Sequence, residues 1–465
     1  MKINSSIFKA YDIRGVYPTD LNEELAYRIA QGYVKYVQPK SLPAGRQGKI
    51  AVGMDVRLCS PKLKEAVIKG LTNAGIDVLD VGLVSTDMIY FAVGYYKLAG
   101  GIQVTASHNP AEYGGVKMVR EGVYPIYGEK GIQQIRDLIL ANQDKIENQK
   151  KGEVEKKEVL DDFVNFVLNF VDAKTIKPLK VVINPNFGLQ GEIIKYIVKK
   201  TKLPVTLVGI NDIPDGTFPK GRPDPFVPEN RPEFLNLVKT EKADFGIAWD
   251  ADGDRVFFAT DRGEFVESYY MNVLFITDIL NKNPGGKIIY DPRYTWALID
   301  AAKKNGGEAI LEKVGHSYIK ARMKKEDAVF CGESSGHTYF RDFWYADCGM
   351  IPALMVMMMV SQKGKSLSEL LKPLFNKYFI SGEINTTVTD AKTVLGKIKE
   401  KYADAQISEV DGVSIEYTDW RANIRPSNTE PLFRLNVEGK SQEIVDLKRK
   451  ELVDFIQNYS ALPTG

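Results

Sequence analysis

The chain has 465 residues, too many for one ordinary core, so three to four domains are expected. Its 62 basic and 60 acidic residues nearly cancel, which excludes a global field for nucleic acid or an anionic membrane and makes any anion site local. Hydrophobic residues at 44% and charged ones at 26% describe an ordinary soluble chain, and three cysteines (Cys59, Cys331, Cys348) with no CxxC pair argue against a disulfide framework or a zinc site.

In chain order, MKINSSIFKAYDIRG carries no apolar signal segment, which argues against secretion. Ser41–Gly48 (SLPAGRQG) is Gly/Pro-rich and is expected as a surface loop. A first repeat of strands and helices follows. It has strands Lys49–Asp55, Val78–Val84 and Ile102–Val104, with helical patterns Lys62–Ala74 and Met88–Leu98. The last strand empties into Thr105-Ala106-Ser107-His108-Asn109-Pro110. This presents a hydroxyl at a strand's carboxyl end, where open α/β sheets place their ligands. Gly114-Gly115 is expected to fold the chain back and bring Lys117 near that hydroxyl. Asn142–Glu158 is a charged connector.

A second repeat has strands Leu179–Asn184, Val205–Gly209 and Asp244–Trp249, with a helix Gln190–Lys200. It ends in Asp250-Ala251-Asp252-Gly253-Asp254-Arg255. Three carboxylates at alternate positions can converge on a hard cation such as Mg²⁺. An EF-hand would need Gly at the sixth position and Glu at the twelfth, where Arg255 and Asp261 stand. A third repeat has strands Lys287–Tyr290, Ala309–Glu312 and Ala328–Cys331, with helices Trp296–Lys304 and Tyr318–Lys325, and empties into GESSGH. Glu333, Ser335 and His337 there suit sugar hydroxyls or proton movement. His108, His316 and His337 are the chain's three histidines, and each sits at or beside a strand-end loop. The apolar run Met350–Val360 is too short to span a bilayer and is expected as a buried helix. Beyond it, strands near Gly412–Tyr417 and Leu432–Val437 and helices Lys392–Tyr402 and Gln442–Gln457 suggest a smaller α+β domain. Between those strands Arg425-Pro426-Ser427-Asn428-Thr429 can cradle a phosphate.

Together these loops resemble the α-D-phosphohexomutase superfamily, most closely its bacterial and archaeal phosphomannomutase/phosphoglucomutase branch. The resemblance runs from FKAYDIRG (Phe8–Gly15) through TASHNP, DADGDR and GESSGH to RPSNTEP (Arg425–Pro431). It implies three similar α/β domains with mixed or parallel sheets plus a smaller C-terminal α+β domain around a central cleft. The expected boundaries are 1–150 (phosphoserine loop), 151–258 (metal loop), 259–368 (sugar loop) and 369–465 (phosphate loop). By resemblance Ser107 is the phosphorylated serine and, with Asp250, Asp252 and Asp254, a Mg²⁺ ligand. Lys117 matches an acid–base lysine, and His108, Arg255 and His337 complete the expected catalytic set. Tyr11, Arg14, Arg293, Gly315, His316, Glu333, Ser335, His337, Arg425, Ser427, Asn428 and Thr429 are expected to bind substrate.

The implied reaction interconverts hexose 1-phosphate and 6-phosphate, with mannose or glucose as the sugar, through hexose 1,6-bisphosphate. The expected setting is a cytoplasmic monomer or weak dimer whose partner is a small phosphosugar, with no nucleic acid or membrane. Departures at Met54, Cys59, Ser85, Val314 and Arg293 bear on sugar preference rather than reaction type. A phosphoglucosamine mutase is the alternative within the family. Outside it stand a haloacid-dehalogenase-like phosphatase, with Asp250 as nucleophile, and a catalytically idle phosphosugar-binding protein.

Overall fold

The computed structural model describes residues 3–38, 48–146, 148, 150–427 and 432–460. They pack as two compact units, one of the chain up to residue 266 with 335–367, the other of 267–334 with the chain from 368 onward. No described helix is long and apolar enough to cross a membrane.

The first unit contains two mixed sheets. The first is ordered Ile13–Val16, Tyr113–Arg120, Gly100–Val104, Ile50–Met54, Val78–Leu83, Val154–Lys156, with Tyr124–Pro125 paired to Tyr113–Arg120. Its central strands Ile50–Met54 and Gly100–Val104 are parallel and almost wholly buried, which is why they appear in the sequence as continuous apolar runs. Helices Glu23–Val37 and Ser60–Asn73 cover this sheet with Leu25, Ile29, Leu63 and Val67. The second sheet is ordered Phe265–Val266, Val256–Thr260, Phe245–Trp249, Leu179–Asn184, Val205–Gly209. Its strand Leu179–Asn184 is parallel to both neighbours, so the chain order reverses beside it and opens a crevice at the carboxyl ends.

Three expectations are corrected here. Gly114 and Gly115 form no turn; they lie inside the antiparallel strand Tyr113–Arg120. A Cβ on Gly115 would stand 2.5 Å from the Ile13 carbonyl oxygen and 2.6 Å from that of Thr105, so close strand approach requires the glycine. The 142–158 connector supplies Val154–Lys156 to the first sheet, which therefore runs past residue 150. The turn at Thr260–Gly263 joins two strands of the second sheet, which extends to Val266.

Met350–Lys363 forms the expected buried helix. Its N-terminal Gly349 sits against the Asp250 loop, where a Cβ would meet the Gly253 carbonyl oxygen at 2.3 Å, and Trp249 Nε1 donates to the Gly349 carbonyl at 2.8 Å.

In the second unit Lys287–Tyr290 pairs in parallel with Glu308–Leu311 and Phe330–Gly332. Its C-terminal part is an antiparallel sheet ordered Phe379–Ile380, Leu432–Gly439, Trp420–Pro426, Val413–Glu416, Gln406–Ser408, with Ile384–Thr387 also on Leu432–Gly439. Helices Ala391–Lys401 and Gln442–Ser460 bury Val394, Ile398, Val445 and Leu452 against it. The strand Trp420–Pro426 stood outside the sequence reading. Arg421, Asn423 and Arg425 alternate with its apolar residues and look solvated, yet all three are buried. Arg421 donates to the carbonyls of Pro292 and Arg293, and Asn423 to the carbonyl of Asp411 and the hydroxyl of Ser414.

Candidate active site

Ser107 leaves the buried strand Gly100–Val104 with φ of +53°, a left-handed conformation that non-glycine residues adopt only when their surroundings impose it. Its N–H donates to Thr105 Oγ1 at 2.8 Å. The main restraint is Arg57, whose guanidinium is fully buried. Nη2 donates to the carbonyls of Ser107 (2.7 Å) and Asn109 (2.6 Å), and Nη1 to those of Pro110 (2.6 Å) and Tyr113 (3.2 Å). Asp55 balances that charge at 3.1 Å. Arg14 holds the same loop through Asn109 Oδ1 at 2.8 Å and is itself gripped by Asp12, next to the half-buried Tyr11. Ser107 Oγ lies 3.3 Å from His108 Nδ1, and that nitrogen is 4.0 Å from Asp250 Oδ2. Burial, then the charges of Arg255 and Arg14, hold His108 well below the usual histidine range.

Asp250, Asp252 and Asp254 leave the buried strand Phe245–Trp249 at the crevice. Their ligand oxygens lie within 4.8 Å of one another. Gly253, at φ +78°, lets the loop turn, and Gln190 Nε2 fixes its carbonyl at 2.7 Å. Lys117, on strand Tyr113–Arg120 of the first sheet, donates to Asp252 Oδ2 at 2.6 Å and to Asp254 Oδ2. Thr86 donates to Asp252 through Oγ1 (2.6 Å) and N–H (2.9 Å). Arg255 Nε stands 3.7 Å from Asp250 Oδ2 and donates to His337 Nε2 at 3.3 Å, while His337 Nδ1 is 3.3 Å from Ser335 Oγ. His337 Nε2 also lies 3.6 Å from Asp254 Oδ1.

Burial and the charges of Asp252 and Asp254 push the Asp250 carboxyl well above the carboxylate range. Burial opposes ionisation of Asp254 too, but Lys117 and His337 hold it well below that range. For Lys117 burial works against the ammonium, and Asp252 and Asp254 overcome it and raise the group. One oxygen of each carboxylate (Asp250 Oδ2, Asp252 Oδ1, Asp254 Oδ1) has no hydrogen bond. A buried, oxygen-only donor set with three open oxygens fits a hard divalent cation.

The second unit carries the other expected residues. Arg293 is buried in a two-point contact with Asp291 (2.9 and 2.8 Å) and lies 3.4 Å from Glu333 Oε1. Gly315, at φ +131°, caps the helix His316–Glu326, which begins two residues ahead of its expected start at Tyr318. Asp411 accepts from the Val314 N–H at 3.0 Å and lies 3.8 Å from Arg425 Nε, so one carboxylate ties the His316 turn to Arg425. Arg425 is buried, and its Nε and Nη2 have no hydrogen bond. Burial, then the charge of Arg293, lowers its pKa from the usual guanidinium value. Ser427 closes the strand with an N–H bond to the Leu432 carbonyl at 2.8 Å. Asn428 and Thr429 lie outside the described residues.

Four family profiles match in order: phosphoglucomutase/phosphomannomutase α/β/α domains I (residues 5–145), II (161–263) and III (267–378), and the C-terminal domain (383–455). The chain belongs to the phosphoglucomutase/phosphomannomutase family. A phosphomannomutase of Escherichia coli is 43% identical over 97% of this chain and 99% of its own. A phosphoglucomutase/phosphomannomutase family protein of Burkholderia thailandensis superposes with a TM-score of 0.88, at 32% identity, over 99% of this chain and 100% of its own. An N-acetylphosphoglucosamine mutase of Aspergillus fumigatus, solved with GlcNAc-6P and magnesium, shares the fold (TM-score 0.63, 99% and 96% coverage) at 12% identity. Membership in this family removes the phosphatase reading.

Within this family member the first unit brings together Ser107, His108, Lys117, the three aspartates, Arg255, Ser335, His337 and, through Asn109, Arg14. The second brings Arg293 to Glu333, and the His316 turn to Arg425. Sequence reasoning missed four residues that position these groups: Arg57, Thr86, Asp224 and Asp411. Asp224 is buried 4.0 Å from His108 Nε2. The available signal was Arg57 between the apolar strand and the Cys59-Ser60-Pro61 helix start, where a guanidinium needs buried acceptors.

Proposed function

We propose that this protein interconverts hexose 1-phosphate and hexose 6-phosphate, of mannose or glucose, through a phosphoserine at Ser107. The observation that carries the reading is a serine locked in a left-handed turn by Arg57, beside a buried carboxylate triad with three open oxygens. Phosphoryl transfer needs positioning and charge neutralisation more than covalent activation. Phosphoserine 107 gives its phosphoryl group to the sugar's free hydroxyl: the Oγ–P bond breaks, a P–O bond to the sugar forms, and the hydroxyl proton leaves. The resulting hexose 1,6-bisphosphate turns over and returns its other phosphate to Ser107.

Arg425 and Ser427, with Asn428 and Thr429, receive the phosphate that is not transferred; the open Nε and Nη2 of Arg425 suit two phosphate oxygens. Glu333, Ser335, His316 and Arg293 take the sugar side, with Gly315 shaping the turn and Tyr11 and Arg14 completing the substrate contacts. Lys117 and Arg255 neutralise charge, and Lys117, His108 and His337 are the candidates for the hydroxyl proton. Asp250, Asp252, Asp254 and the phosphoserine would hold Mg²⁺, which when bound polarises and neutralises the phosphoryl oxygens.

The test is intact and peptide mass of the purified protein, with the same sample assayed on glucose 1-phosphate and mannose 1-phosphate with Mg²⁺ and a trace of glucose 1,6-bisphosphate. Phosphate on Ser107 and turnover that vanishes in Ser107→Ala supports the reading. Unmodified Ser107 with binding but no turnover replaces it with the idle phosphosugar-binding protein.

A further inference from the structure

The second sheet carries a cavity of about 220 Å³ that the proposed reaction does not use. It lies at the carboxyl ends of Leu179–Asn184 and Val205–Gly209. Asn184, Asn186, Phe187 and Asn211 line one wall, and the Lys220–Pro223 segment and the start of helix Pro232–Thr240 line the other. Asn184 is 3% exposed and Asn186 7%. Asn184 Oδ1 accepts from the Asn186 N–H (3.1 Å) and Asn211 Nδ2 (3.2 Å), which leaves its Nδ2 amide without a partner among the described residues. Asn186 Nδ2 donates to the Trp249 carbonyl at 2.7 Å, which leaves its Oδ1 likewise unpaired. The cavity is thus lined by an amide donor and an amide acceptor with no protein partner among the described residues, both reached by solvent in the cavity, beside the half-buried ring of Phe187.

The charges lining the cavity narrow the ligand. Lys220 is already paired with Glu233 and Arg222 with Asp224 at 2.9 Å, so neither cation waits for an anion; Glu229 lies at the exposed rim. The volume falls below the roughly 300–1,000 Å³ of sites for drug-sized ligands, so a single small ring fits. A hydroxyl both donates and accepts, which suits an unpaired amide N–H next to an unpaired amide oxygen. A pyranose adds an apolar face for Phe187. We propose that this cavity is a second, non-catalytic binding site for an uncharged monosaccharide or cyclic polyol. Its wall is continuous with the aspartate loop. Asn186 holds the carbonyl just before Asp250, and Gly188 lies so close that a Cβ would meet the Ala251 carbonyl oxygen at 2.2 Å. An occupant therefore braces the loop that carries the carboxylates.

The experiment is saturation-transfer NMR of methyl α-D-mannopyranoside and methyl α-D-glucopyranoside on the full chain with Mg²⁺, in the presence of excess glucose 1,6-bisphosphate to fill the catalytic site. The glycoside signal should persist under bisphosphate and its affinity should fall about tenfold in Asn184→Asp, which keeps the Oδ1 acceptor and removes the unpaired donor, in line with one lost hydrogen bond. Phe187→Gly removes the ring at a position whose φ of +65° suits glycine, and should weaken binding even if Asn184→Asp does not fold. Loss of the signal under bisphosphate, displacement by inorganic phosphate, or unchanged affinity in the folded variants would overturn the proposal. None of these outcomes depends on turnover.

Discussion

Replacing Arg57 with lysine tests whether the left-handed Ser107 turn is held from behind. The guanidinium makes four bonds to carbonyl oxygens of residues 107, 109, 110 and 113 and one to Asp55. A lysine ammonium has three donors. With one kept on Asp55, two remain for four carbonyls, so at least two buried carbonyls lose their partner at about 1–3 kcal/mol each, or roughly 2–6 kcal/mol in all. At about 2–4 °C per kcal/mol for a domain of this size, Tm should fall by roughly 4–24 °C. The Ser107 carbonyl is one of the four, and a displacement of about 1 Å at a reacting atom costs on the order of 10²-fold in rate. In a coupled assay at a temperature where Arg57→Lys is folded, kcat should therefore drop about 10²-fold while KM stays within a few-fold, because Arg425 and Ser427 are untouched. A lowered Tm with unchanged kcat would refute the argument: Arg57 would then support the fold without setting the serine.

Asp250→Asn should stabilise the metal-free protein by about 1–2 kcal/mol, since it removes a buried carboxyl whose ionised form burial, Asp252 and Asp254 disfavour. It should also abolish the rise of about 2.7 kcal/mol that Mg²⁺ at a hundredfold its Kd gives the native chain; thermal melts with EDTA and with Mg²⁺ check both. Asp87 is buried among Ser85, Gln190 and Cys348, and burial pushes its carboxyl up to about 7 against their hydrogen bonds. The folded chain therefore keeps a proton that the unfolded chain releases near pH 4, so this residue's contribution to stability declines as pH rises from about 4 to about 7 and is level above. Melts of Asp87→Asn across that range should lose this slope. Arg425→Lys replaces two open nitrogens suited to bidentate contact with a point charge and should lower kcat/KM for hexose phosphates about 10–100-fold, from about 1.5–3 kcal/mol for a charged hydrogen bond. An unchanged kcat/KM would remove Arg425 from the substrate phosphate.

What the sequence showed well were features that leave an apolar signature. Leu179–Asn184, Val205–Gly209, Lys287–Tyr290 and Trp296–Lys304 have the expected ends, because each is a short apolar strand or amphipathic helix bounded by turn or polar residues. The loops TASHNP, DADGDR and GESSGH were legible because each combines a buried strand with polar residues that have no reason to follow it unless they serve a site. What escaped was polar residues buried by partners far away in sequence. Trp420–Pro426 alternates apolar with Arg, Asn and Arg, and local pattern cannot tell solvated arginines from arginines whose acceptors lie 128 or 129 residues away. Gly114-Gly115 looked like a turn because glycine has two uses, and only the approach of the Ile13 and Thr105 carbonyls distinguishes close packing from chain reversal.

The same distinction separates a cation site from a structural ion-pair network at the aspartate loop. In a network that existed only to hold the fold, each carboxylate would be matched by its own cation or hydrogen-bond donors. Here Lys117 takes Oδ2 of both Asp252 and Asp254, Thr86 adds a second bond to Asp252, and the opposite oxygens of both residues remain open. Asp250 Oδ2 sees Arg255 only at 3.7 Å, too far for a hydrogen bond. Three carboxylates thus face two cations, and the surplus is concentrated on the open oxygens. Burial makes such a surplus costly and pushes the Asp250 carboxyl toward its neutral form, while Gln190 and Gly349 hold the loop from behind. Three carboxylates held within 4.8 Å of one another, with one oxygen of each unbonded, offer a hard divalent cation a ready-made set of oxygen ligands.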